Sequence, residues 1–207
     1  LPRNLASLTS TQGEPAAWSR FWVAQGLQSH AVAYLKAIRR IEHVALVDEV
    51  LADHRVRVLG VVVDAVDEIM HGMPLGTRGL HDQVESWQEH GLLGELFHRL
   101  LASGFEIFVT ADHGNIEARG AGRVAQGVLA ETRGERVRLY SDQALYRSTL
   151  SQLQGRGVPG ATTGLPDGRY PLYATGRSAF VDDGDIIVAH GGACIEEVIV
   201  PFVQVSR

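Results

Sequence analysis

FEIFVTADHGNIEAR, residues Phe105–Arg119, decides how the rest of this chain is read. Phe105, Ile107, Phe108 and Val109 make an apolar run rich in strand-forming side chains, the pattern of a strand buried in a sheet. The run stops at Thr110-Ala111-Asp112-His113-Gly114-Asn115. A carboxylate and an imidazole side by side at the carboxyl edge of a strand stand where open α/β sheets place their chemistry. Their oxygen and nitrogen donors suit Zn²⁺ or Mn²⁺. Gly114 lets the backbone turn away and come close to a ligand.

Two more segments repeat the theme. Val58–Val63 is a second β-branched run, and it delivers Asp64, Asp67 and then His71. Asp67 and His71 are four apart, so one helical turn puts both on the same face. Asp64 competes for the ligand role; the spacing to His71 favours Asp67 and leaves Asp64 to sit behind the ligands. Asp185–Val188 is a third apolar strand, and it releases Ala189-His190-Gly191-Gly192. Asn115 and Glu117 either orient ligands or open a helix. His30, His43, His54, His81, His90 and His98 have neither a carboxylate at ligand spacing nor a strand-end setting, so they are read as surface or helix-face residues.

The order Asp-x-x-x-His, Asp-His-Gly, then a late His-Gly-Gly resembles the alkaline phosphatase superfamily. Within it, VLGVVVDAVDEIMHG, FVTADHGNIEARG, AHGGACIEEVIVPFV and the earlier FWVAQGLQSHAVAYLK resemble the PglZ family from about Trp18 to the end of the sequence. TADHGN also occurs in the cofactor-independent phosphoglycerate mutases of the same superfamily. The HGG-x-x-x-EEV ending favours PglZ.

The resemblance implies an alkaline phosphatase-like α/β fold, with a mostly parallel central sheet flanked by helices. It implies two divalent metals, zinc with manganese as the alternative. One would be held by Asp67, His71 and His190, the other by Asp112, His113 and an upstream Asp. That upstream Asp has no counterpart before Trp18, so residues 1–207 are expected to be the C-terminal part of a larger domain. Leu1–Gln12 resembles the remnant of a nucleophile loop, with Thr9 as the candidate and Ser7 and Ser10 beside it. Arg119 and Arg177 are candidates for stabilising phosphoryl oxygens.

The implied activity is a metal-dependent phosphoric-ester hydrolase in BREX phage defence. A phosphodiesterase acting on nucleotides or nucleic acid is favoured, with other phage-defence proteins as partners. A catalytically silent interaction module is the alternative from a different class. Phosphoglycerate mutase-like phosphotransfer is a further one, but it needs an inserted domain that this span does not show.

Composition bounds these readings. At 207 residues and 45% hydrophobic, the chain has material for a core. No apolar run has the length of a membrane span and no segment reads as a signal peptide, so no membrane partner and a cytoplasmic setting are expected. Cys194 is the single cysteine, read as a small buried apolar residue. A net charge of −5 argues against a globally basic nucleic-acid binder. Nine of the Arg residues nevertheless fall between Arg119 and Arg177 against four acids, and that span reads as an anion-binding patch.

Helical spacing predicts helices over Ala31–Ile38 and His43–Ala52, then over His81–Leu101 with a break at Gly91 and a stop at Gly104. The stripe of Leu92, Leu93, Leu96, Leu100 and Leu101 should pack on the sheet. Val137–Tyr140 reads as a strand and Ser141–Leu150 as a helix capped by Ser141. Residues 154–168, rich in Gly and Pro, read as a flexible loop or lid. Tyr170–Thr175, Ser178–Val181 and Asp185–Val188 read as short strands, Ile195–Val198 as a helical turn, and Val198–Val205 as a last strand.

Overall fold

In the computed structural model, residues 13–71, 76–124, 130–133, 135–162 and 165–206 are described. Thr9, Ser7 and Ser10 lie outside them. The chain divides into two compact units. The first comprises Leu1–Ile69, Gln83–Phe108 and Gln204–Arg207, and the second Met70–Asp82 and Val109–Val203.

The first unit is built on a parallel pair, β1 (Val32–Leu35) and β2 (Val58–Val61), joined through helix α2 (Val44–Leu51). Val32 lies opposite Val58 and Leu35 opposite Val61. Residues 31–38 thus correct the helix expected there. An apolar run covered on both faces loses its alternation, and periodicity alone then cannot separate strand from helix. Helix α1 (Glu14–Ala24), which the sequence did not announce, covers this pair. Its Trp18 indole N–H donates to the Ala33 carbonyl at 3.0 Å. Gly60 makes the fit possible, since a Cβ there would meet the Trp18 and Tyr34 rings at 2.9 Å.

Helices α4 (Gly76–Glu89) and α5 (Leu92–Ala102) are separated by Gly91, whose φ of 78° is the left-handed conformation that suits glycine. Leu92, Leu96 and Leu100 are buried as the stripe predicted. Leu96 and Leu100 form a core with Val47 and Ile107, the latter from β3 (Ile107–Thr110). Between β2 and α4 lies α3 (Ala65–His71), which carries Asp67 and His71 one turn apart as their spacing predicted.

The second unit holds most of the remaining strands: β4 (Ile116–Gly120), β5 (Ala130–Arg133), β6 (Val137–Tyr140), β7 (Gly157–Pro159), β8 (Tyr170–Ala174), β9 (Ser178–Ala179) and β10 (Ile186–Ala189). Helix α6 (Gln143–Gln152) falls between β6 and β7, and α7 (Ile195–Val198) and β11 (Phe202–Val205) follow β10. One sheet runs β5-β6-β8-β7 and is antiparallel throughout. Another runs β10-β4-β9, with β4 antiparallel to β10 and parallel to β9. β3 pairs with β11. Tyr140, Leu172, Ala174 and Phe180 centre the core, with Leu145 and Leu150 of α6 packed against it.

This arrangement corrects the expectation of one mostly parallel central sheet. The described strands make small sheets in which antiparallel pairing prevails, within a mixed α/β architecture. Strand–helix–strand alternation stops at β3. Beyond it, connections such as Arg133 to Val137 are too short for a parallel crossover. Asp142, not Ser141, caps α6, accepting the Leu145 amide at 2.7 Å. Part of the expected lid is sheet: Gly157–Pro159 pairs with Leu172–Ala174. Among the described residues, no helix is long and apolar enough to cross a membrane.

Candidate metal centre

The second unit brings two of the nominated histidines together. β3 ends at Thr110, three residues before His113, and β10 ends at Ala189, next to His190. The imidazoles stack, with centroids 3.9 Å apart and planes 12° from parallel. His113 Nδ1 lies 3.2 Å from the Gly114 carbonyl oxygen. A carbonyl can only accept, so Nδ1 carries the proton and Nε2 presents its lone pair. Asp112 accepts the His113 amide at 3.1 Å, and its side chain is 91% exposed. Asn115 Oδ1, two residues on, is buried with no hydrogen-bond partner among the described residues. Buried acceptors are seldom left so. The two stacked imidazoles are nitrogen donors of the kind that suits a borderline cation such as Zn²⁺.

The loop that carries His190 is fixed from beneath. Glu197, on α7, is 2% exposed and Arg136, just before β6, is fully buried. Arg136 grips the carboxylate through two nitrogens, Nε at 2.9 Å and Nη2 at 2.7 Å, and its Nη1 donates to the Ser178 carbonyl. The same carboxylate accepts the Gly192 amide at 2.8 Å and the Cys194 amide at 3.1 Å. Burial opposes the Glu197 charge. The Arg136 guanidinium and the two amides outweigh that cost and hold its carboxyl below the usual range. Burial likewise opposes the Arg136 charge, and the bonds and field from Glu197 raise its pKa despite that.

Glycines allow both loops this close approach. A Cβ on Gly192 would meet the Glu197 carboxylate at 2.6 Å and Arg136 at 2.7 Å. A Cβ on Gly114 would overlap the Glu196 carbonyl oxygen, while the Gly114 amide donates to the Glu197 carbonyl at 2.9 Å. Gly114 therefore serves backbone contact with α7, a different use from the ligand approach that the sequence suggested.

Other nominated residues have different surroundings. Asp64 is held by Arg39 through two bonds of 2.8 and 2.7 Å, and that guanidinium lowers its pKa. Asp67 sits on α3, and the His71 side chain is outside the described residues. Glu117 lies on strand β4 rather than in a helix that it opens, and it accepts the Thr77 amide at 2.9 Å beside the start of α4. Arg177 is paired with Glu196, and Arg119 lies on an exposed position of β4.

Within the Arg119–Arg177 span, several guanidinium groups are engaged by the fold itself. Arg136 and Arg138 are buried, the latter stacked over Phe180 at 5.3 Å. Arg123 pairs with Asp182 at 2.7 Å, and Arg156 donates to the Ala121 carbonyl. Sequence reasoning missed Arg136 and Glu197 as residues that shape the site. The Glu196-Glu197 pair after His-Gly-Gly was the visible signal, but its partner lies 61 residues away.

A family model described as the BREX system PglZ alkaline phosphatase-like domain matches residues 4–205. The chain belongs to that family. No curated protein matches it.

Proposed function

We propose that this PglZ domain is a metal-dependent phosphoric-ester hydrolase of the BREX defence system. The observation that supports it most is the stacked pair of His113 and His190, delivered by two separate strand ends. In this reading both imidazoles serve one zinc ion. Asp67 and His71 are the further ligands that the sequence nominates, and Asp112 is left for the second ion that the family resemblance implies. Divalent ions in such a site supply Lewis-acid polarisation of the phosphoryl group and lower the pKa of the attacking hydroxyl. The chain's own part is to fix tautomer and orientation: the Gly114 carbonyl holds the proton on His113 Nδ1 and turns Nε2 outward. The nucleophile proposed from the sequence is Thr9, and Arg119 and Arg177 remain the candidates for phosphoryl oxygens.

The phosphodiester preference now has narrower support. Arg123, Arg136, Arg138 and Arg156 are engaged within the fold, so an extended arginine track no longer argues for a nucleic-acid strand. What supports a diester is the openness of the site at Asp112. Other BREX components are the proposed partners.

Chelator-treated protein assayed on bis- and mono-p-nitrophenyl phosphate, before and after adding Zn²⁺ or Mn²⁺, tests the reading. Metal-restored hydrolysis that is lost in His190→Ala is the expected result. Metal uptake without hydrolysis of either ester would instead favour the silent interaction module. One observation fits that second reading: Ile195, Val198 and Ile199 are 69%, 57% and 67% exposed.

A further inference from the structure

We propose that Glu197, gripped by Arg136, is a positioning residue for His190, and that the buried pair exists to set the histidine loop. The proposal rests on the metal reading for its functional meaning, but its structural content stands on the second unit alone.

A buried ion pair is poor evidence of stabilisation, because desolvation of both charges offsets their attraction and apolar replacements often do as well. A different benefit must explain an Arg–Glu pair among the most deeply buried side chains described. Its geometry supplies one. The carboxylate does more than meet the guanidinium: it accepts the amides of Gly192 and Cys194, which bracket the turn leaving His190. An apolar side chain could fill the volume but could not hold those two N–H groups.

Two close approaches constrain that turn, and a third bond links the His113 loop to Glu197. Gly191 adopts φ 94°, and a Cβ there would press on Val137 at 3.0 Å, next to Arg136. Gly192 has no room for a side chain because the Glu197 carboxylate and Arg136 occupy it. The Glu197 carbonyl takes the Gly114 amide, which ties the loop of His113 to the same residue. Glu197 therefore touches both histidine loops, one through its side chain and one through its backbone. The stacking of the two rings is set by that single residue and its arginine. Such support around ligating histidines commonly governs metal affinity about as strongly as a ligand's own environment does, by about 10- to 100-fold.

The test compares wild type, Glu197→Gln and the double variant Arg136→Met/Glu197→Gln. The double variant removes both charges, so no unpaired ion is left in the interior. Three quantities are measured: melting temperature, zinc affinity by competition with a chromophoric chelator, and the ring C–H resonances of His113 and His190 in zinc-free protein. We expect Glu197→Gln to melt earlier, to bind zinc about 10- to 100-fold more weakly, and to lose the ring-current shifts of the stacked pair. The double variant should regain melting temperature without regaining zinc affinity or the ring shifts. That split separates positioning from simple stability.

Wild-type ring shifts in a folded double variant would overturn the proposal. Absence of zinc binding by wild type would count against the metal reading only, and the ring resonances would still decide the positioning role. If the Gln variants do not fold, Arg136→Lys takes their place, since it keeps the charge and loses the two-nitrogen grip. Altered ring shifts in that variant support the proposal, and unaltered ones overturn it.

Discussion

His190 leaves β10 into a loop whose amides end on a carboxylate 2% exposed, whereas His113 leaves β3 into a loop whose neighbouring Asp112 is 91% exposed. The rings nevertheless stack 3.9 Å apart. One loop is held by buried charge and the other by a backbone bond to the first, from the Gly114 amide to the Glu197 carbonyl. Rigidity is thus concentrated in 190–197, and the 111–114 loop borrows it. This division suits a site that needs a fixed ligand and an edge open to substrate.

The largest effect is expected at the buried end of this support. Glu197→Ala leaves Arg136 charged and unpaired in the interior and frees two amides, a loss expected to reach about 3–5 kcal/mol. Chemical denaturation of wild type and variant measures it. An effect near zero would mean that the pair is not buried as described. Gly114→Ala comes next, at about 1–3 kcal/mol, because its Cβ would displace the α7 backbone. Gly26→Ala is the control. Nothing lies within 4 Å of a Cβ there, so only its φ of 96° opposes the change.

Acid should act through the same carboxylate. Glu197 titrates below its unfolded value of about 4.3. Its contribution is therefore complete above that value and is lost as pH falls through the lower folded one. Melting temperature should drop below about pH 4, with Asp64 acting in the same direction through Arg39. Glu197→Gln should show a shallower fall. The smallest effect is expected at Arg123→Ala, whose pairing with Asp182 is solvent-exposed; its melting temperature should match wild type.

Both loops were legible in the sequence as strand ends. The apolar runs Phe105–Thr110, ahead of Asp-His-Gly, and Asp185–Val188, ahead of His-Gly-Gly, announced the strands that the structure places at Ile107–Thr110 and Ile186–Ala189. Asp67 and His71 fell on one helix because a spacing of four is a local property. What stayed hidden depended on distant partners. Arg136 read as one member of an anion-binding span, since nothing local marks which guanidinium will meet a carboxylate 61 residues on. β1 was hidden for another reason: Val32–Leu35 is covered by α1, so it lacks the polar alternation of a half-exposed strand. In the antiparallel β5-β6-β8-β7 sheet, Val137–Tyr140 and Tyr170–Ala174 were legible as strands, whereas β5, β7 and the pairing itself were not.

The proposed site requires His113 and His190 to serve the same ion. Zinc titration of wild type, His113→Ala, His190→Ala and the double variant tests it directly. Each single change should weaken the same binding event, and the double variant should bind no worse than the weaker single one, since a shared site can be lost only once. If each single change instead removes a different ion and their effects add, the histidines belong to separate sites and the account is contradicted.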